Sequence, residues 1–200
     1  MHTKRSLALF AFEDMEVLDF AGPFEVFSVA NQMEGYSLLD IKVVSKDGKL
    51  LKARNGLQIQ PDTSLADLEQ VDILVIPGGD GSKAVIEDLK VMLWMEHHIP
   101  ETEITFSVCS GARILAKLGY LDGREYTTHH EVFEDVHTLT HGGIPNKTKR
   151  FVDLGQILTA GGISAGIDLS LHIVGRLFGQ AVQKNTMKYM EYGEDWNHEK

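Results

Sequence analysis

Short apolar runs alternate along this chain with stretches in which apolar residues recur at helical spacing. Residues 6–12 (SLALFAF) are bounded by charge and predict a strand buried on both faces. Phe24, Val26, Phe27 and Val29 follow Gly22-Pro23. Proline suits the first turn of a helix, so a helix is expected to begin near Gly22. Residues 39–44 form a second candidate strand. Asn55-Gly56, between 50–54 and 57–60, predicts a hairpin with a two-residue turn. Residues 71–76 (VDILVI) predict another buried strand that stops at Pro77-Gly78-Gly79, followed by one helix over 84–98. Strand 104–108 runs into Cys109-Ser110-Gly111 and a helix over 112–118. Further strands are expected at 126–129, 151–152 and 157–160. Gly161-Gly162 then leads to helices over 164–178 and 181–192.

Strands alternating with helices imply a mainly parallel sheet covered on both faces. Ligands of such sheets bind beyond the carboxyl ends of the strands. Three glycine-bearing turns, Pro77-Gly78-Gly79, Cys109-Ser110-Gly111 and Gly161-Gly162, fall at strand ends and are expected to gather along one edge.

Composition narrows the picture. The 200 residues are expected to form one domain, and 43% hydrophobic residues supply a sizeable core. A net charge of −10 disfavours nucleic acid and anionic membranes as partners. Lys147, Lys149 and Arg150 are treated as solvated loop charge. The basic N-terminus is followed by an apolar run that breaks at Glu13 and Asp14, too short for a signal peptide or a membrane span. A single cysteine excludes an internal disulfide. A cytoplasmic protein is expected.

The chemistry centres on Cys109. Strand, tight turn and helix make a nucleophile elbow, in which a reactive side chain stands above the sheet edge. At a helix N-terminus the thiol is expected to shift towards thiolate, and nearby N–H groups can stabilise an anion on a bound substrate. The alternative is a small buried hydrophobe, as most lone cysteines are. Gly78 and Gly79 end the neighbouring strand and are candidates for the second half of an oxyanion hole.

Several blocks resemble one family. Leu18-Asp19-Phe20-Ala21-Gly22-Pro23-Phe24-Glu25-Val26, Ile76-Pro77-Gly78-Gly79, Ser107-Val108-Cys109-Ser110-Gly111, Thr127-Thr128-His129 and residues 159–168 (TAGGISAGID) resemble the ThiJ/PfpI superfamily of class I glutamine amidotransferase-like proteins. Among its branches the pattern is most similar to the isocyanide (isonitrile) hydratases and to the amidotransferase-like domains of AraC-type regulators. The resemblance implies a flavodoxin-like three-layer sandwich, a homodimer and a small-molecule substrate; no cofactor and no metal are expected. It implies that Cys109 attacks an isocyanide carbon, that Asp19 is the acid/base carboxylate, and that Ser110 and Gly79 supply polar contacts. Asp19 as a cap on the following helix is the alternative. Gly78, His129 and Gly162 are pocket candidates. Ser110 follows the cysteine where protease-like branches carry histidine, which argues against a peptidase.

Other residues have plainer readings. His137 and His141 have the i,i+4 spacing of zinc ligands, but the segment is rich in β-branched residues and lacks the glutamate of a zinc-protease motif. Arg113 either offsets a thiolate or lies on the surface. Glu25 and Asp168 have structural roles at helix starts. Phe10, Phe12, Phe20, Phe24, Phe27 and Trp94 are expected in the core, and Trp196 is given no role. A ligand sensor and a redox or carbonyl-scavenging stress protein are the competing functions.

Overall fold

The computed structural model describes residues 4–193; residues 1–3 of the basic start and Trp196 lie outside them. In chain order the elements begin with β1 (Arg5–Ala11), α1 (Val17–Met33), β2 (Leu39–Ser45), β3 (Leu51–Lys52), β4 (Gln58–Ile59), β5 (Thr63–Ser64) and β6 (Ile73–Ile76). There follow α2 (Ser82–Val85), α3 (Leu89–His98), β7 (Ile104–Val108), α4 (Ala112–Lys117), β8 (Glu125–Tyr126), α5 (Phe133–Thr138) and β9 (Ile144–Pro145). The chain continues through β10 (Phe151–Asp153), β11 (Ile157–Ala160), α6 (Ala165–Phe178) and α7 (Gln180–Tyr189).

Seven strands form one sheet in the order β10-β11-β7-β6-β1-β2-β5, parallel except for β10. Strands β6, β7 and β11 are buried at every position, as their unbroken apolar runs require. Helices α1, α6 and α7 pack together, and α4 contacts α2 and α5. Helices cover both faces of the sheet, giving the expected flavodoxin-like α/β sandwich. After β1 the chain moves outward to β2 and β5, then returns across β1 to β6 and β7. The strand order therefore reverses between β1 and β6, the kind of point beyond which ligands of such sheets bind.

Several boundaries differ from expectation. Helix α1 begins at Val17, so Pro23 lies inside it. Gly22 has no Cβ to collide with the proline ring, and Pro23 has no N–H to donate to the Asp19 carbonyl. The helix expected over 84–98 is two pieces, because the Asp88 carboxylate caps α3 by accepting from the Lys90 and Val91 N–H groups. Asn55 and Gly56 do adopt positive φ, at 62° and 92°, but the hairpin loop has three residues, since Lys52 pairs with Gln58 and Ala53 N–H bonds the Leu57 carbonyl. The strand expected over 126–129 is Glu125–Tyr126, paired with β9 outside the main sheet. Phe24 stacks on Phe20 at 6.3 Å but is exposed, and Trp94 is only half-buried.

Candidate active site

The carboxyl ends of β6, β7 and β11 are level, with Ile76 beside Ser107 and Val108 beside Ala160. The three turns that follow them meet as expected. The Cys109 N–H bonds the Gly161 carbonyl at 3.0 Å, and the Gly79 N–H bonds Ser110 Oγ at 2.8 Å. Asp19 arrives on the first turn of α1, the helix that follows β1. It makes no cap bond. Its Oδ2 instead accepts the Gly78 N–H at 3.0 Å.

Gly78 is the hinge of this arrangement. A methyl group there would lie 2.5 Å from the Ser110 nitrogen, 2.7 Å from Ser110 Oγ and 2.8 Å from Asp19 Oδ2. The carboxylate and the serine hydroxyl thus crowd one point beside the elbow.

Cys109 stands at φ 56°, an unfavourable region for a residue with a Cβ. Its backbone is held from two sides, by Gly161 and by Thr128 Oγ1, which donates to the Cys109 carbonyl at 2.7 Å. Ile163, β-branched, sits at φ 53° and turns its N–H towards both the thiol and the Asp19 carboxyl. Two such outliers at one site mark a conformation that the surroundings impose.

Cys109 retains 7% of its surface and Asp19 none. Burial raises the Asp19 carboxyl to about 7, opposed by the Gly78 N–H and the Cys109 thiol. Its Oδ1 makes no hydrogen bond of regular geometry. Burial, and then the Asp19 charge, push the Cys109 thiol up to about 12. This corrects the expected thiolate. The N–H groups of Ser110 and Ile163 do favour ionisation, but they are outweighed by the low-dielectric surroundings and the neighbouring carboxylate. At neutral pH sulfur keeps its proton while Asp19 is about half ionised; above pH 7 the negative charge of the pair rests on Asp19.

The other expected site residues fall in three groups. Ser110 is buried at the elbow, but its oxygen takes the Gly79 N–H, so that N–H is engaged within the protein. Gly162 lies under His129: a Cβ there would be 2.2 Å from the ring, which accepts the Glu131 N–H rather than bonding Cys109. Arg113 matches neither reading offered for it, being buried and bonded to Asp135 and Ser82. Away from the site, Asp168 pairs with Arg150 and accepts the Tyr192 hydroxyl, a structural role as expected. Lys147 and Lys149 pair with Glu134 and Glu125. His141 bonds Asp122, and among the described residues no three potential metal ligands converge.

Sequence reasoning missed Ile163, Thr128 and Ser82 as parts of the site. Gly161-Gly162 signalled a special backbone at that turn, but placed no N–H.

Fold and site together define an α/β sandwich with a cysteine at a strand-turn-helix elbow and an acid beside it. The model of the DJ-1/PfpI family matches residues 5–176, and the chain belongs to that family. It is 32% identical over 183 residues to an isonitrile hydratase of Pseudomonas putida, an alignment covering 90% of this chain and 75% of the hydratase. It is 27% identical to the transcriptional regulator GbdR of Pseudomonas aeruginosa, where it covers 88% of this chain but only 47% of the regulator. A crystal structure of a ThiJ/PfpI family protein from Pseudomonas syringae superposes with a TM-score of 0.86 at 26% identity, covering 98% of this chain and 78% of that one.

Proposed function

We propose that this protein is a cysteine-dependent enzyme that hydrates isocyanides to N-substituted formamides. The observation that carries the reading is the pairing of a nearly buried thiol with a fully buried carboxyl raised to about 7. An acid/base group of that pKa gives and takes protons readily at neutral pH. The slender terminal carbon of an isocyanide suits a thiol with so little open surface. The similarity to the isonitrile hydratase supports the same substrate class.

The steps balance with these two groups. Asp19 takes the thiol proton as sulfur bonds the isocyanide carbon, then delivers that proton to the same carbon, leaving a thioimidate on Cys109. Asp19 next takes a proton from water as its oxygen adds to that carbon. Asp19 passes that proton to the nitrogen; as the carbon–sulfur bond breaks, the new hydroxyl becomes the formamide carbonyl and its proton returns through Asp19 to the Cys109 sulfur. Ser110, the residue after Cys109, contributes a hydroxyl whose oxygen accepts the Gly79 N–H. A reducing cytoplasm and a homodimeric assembly complete the proposal, with the whole chain as one domain.

The test is to mix the purified protein with an alkyl isocyanide and measure the formamide. Turnover that disappears in Cys109→Ala supports the reading, and native protein without turnover refutes it. A second reading is a ligand sensor or a redox protein; the similarity to the transcriptional regulator GbdR supports the sensor. Thiol chemistry at Cys109 without isocyanide turnover is the outcome that selects it.

A further inference from the structure

The turn that carries Gly79 is anchored by buried polar groups that take no part in the steps above. Arg113 is 4% exposed; its Nε bonds Asp135 and its Nη1 bonds Ser82 Oγ at 2.8 Å. A guanidinium only donates. Ser82 Oγ therefore receives from Arg113 and sends its own proton to the Gly79 carbonyl, at 2.7 Å. The same carbonyl faces two further donors, the Ser82 N–H at 3.1 Å and the Ser110 hydroxyl at 3.2 Å.

A carbonyl oxygen has two lone pairs, so three donors compete for it. Ser110 is the most distant of them. Its oxygen is meanwhile pinned by the Gly79 N–H at 2.8 Å. The hydroxyl next to Cys109 thus has a fixed oxygen and a weakly held proton.

We infer that Arg113 is a positioning residue: by turning Ser82 onto the Gly79 carbonyl, it frees the Ser110 hydroxyl to donate to a substrate bonded to Cys109. The inference rests on reading Cys109 as the nucleophile. Without the Ser82 hydroxyl the carbonyl keeps only the Ser82 N–H as a close donor, and the Ser110 proton settles on the lone pair left open.

Ser82→Ala is the cleanest probe, since it leaves the Arg113–Asp135 pair in place. In it kcat for an alkyl isocyanide falls about tenfold while KM stays within about twofold, and Ser82→Thr restores kcat. Combined with Ser110→Ala, the Ser82 change has no further effect, because the donor it serves is gone. Arg113→Met, checked for a cooperative melt, follows the same pattern. An unchanged kcat, or losses that multiply in the Ser110→Ala background, overturns the inference.

If the native protein leaves isocyanides untouched, that defeats the proposed function, and a different thiol reaction decides this point. Addition of Cys109 to N-ethylmaleimide builds negative charge on an oxygen near sulfur. Ser82→Ala slows it about tenfold, with no further slowing in the Ser110→Ala background. Equal rates overturn the inference. Iodoacetamide, whose displacement builds no such charge, must react equally with all variants. A change there marks a general disturbance of the thiol and also overturns it.

Discussion

Ionised Asp19 works against the folded state. Its folded pKa of about 7 lies above the ordinary 3.8, so the native protein binds this proton more tightly than the unfolded chain does. Stability therefore falls as pH rises from about 4 to about 7 and then levels, by about 4 kcal/mol in all. Cys109 stays protonated in both states over that range and adds nothing. Asp19→Asn is accordingly expected to raise the thermal midpoint at pH 8 and to leave it nearly unchanged near pH 4, followed by circular dichroism. Equal shifts at both pH values would contradict a buried, ionising carboxyl. The strained Cys109 backbone yields a second expectation. Glycine tolerates φ 56° and alanine does not, so Cys109→Gly should be more stable than Cys109→Ala by about 1 kcal/mol in urea titrations. The reverse order would show that the elbow is unstrained.

Among the elements, those with continuous apolar runs were readable within a residue or two: β1, β2, β7 and β11 lie where the pattern placed them. What was hidden depended on contacts between elements. Pro23 suggested a helix start, yet its helix extends back to Val17 because Gly22 relieves the clash before the proline. Asp88 divides a helix that periodicity alone ran together. Two-residue strands such as β5 carry too few positions for any period to register. The packing of α6 on the elbow strand is similarly invisible in sequence. A methyl at Gly166 would meet both γ-carbons of Val108 at 3.0 Å. Gly166→Ala is thus expected to lower stability by roughly 1–3 kcal/mol. An unchanged urea midpoint would mean that this helix has room to retreat.

At the scale of the whole molecule, the sheet's reversal between β1 and β6 brings together groups that are far apart in sequence. Asp19 comes with α1, Gly78 follows β6, Cys109 follows β7 and Ile163 follows β11. Cys109, Asp19 and the glycine turns were visible as a resemblance and as strand-end punctuation. The direction of the thiol's shift was not. It depends on how deeply the elbow is buried and on which charge lies opposite, and no local pattern encodes either. The most direct test of the paired thiol and carboxyl is the pH dependence of kcat/KM for isocyanide hydration between pH 5 and pH 9. The reacting form carries its proton on Cys109 and its charge on Asp19, so the rate should climb through about 7 and level above it, well below the thiol's own ionisation near 12. Asp19→Asn should lose about a hundredfold or more and with it the rise near 7. A flat profile, or an Asp19→Asn variant that keeps the native rate, would contradict the account.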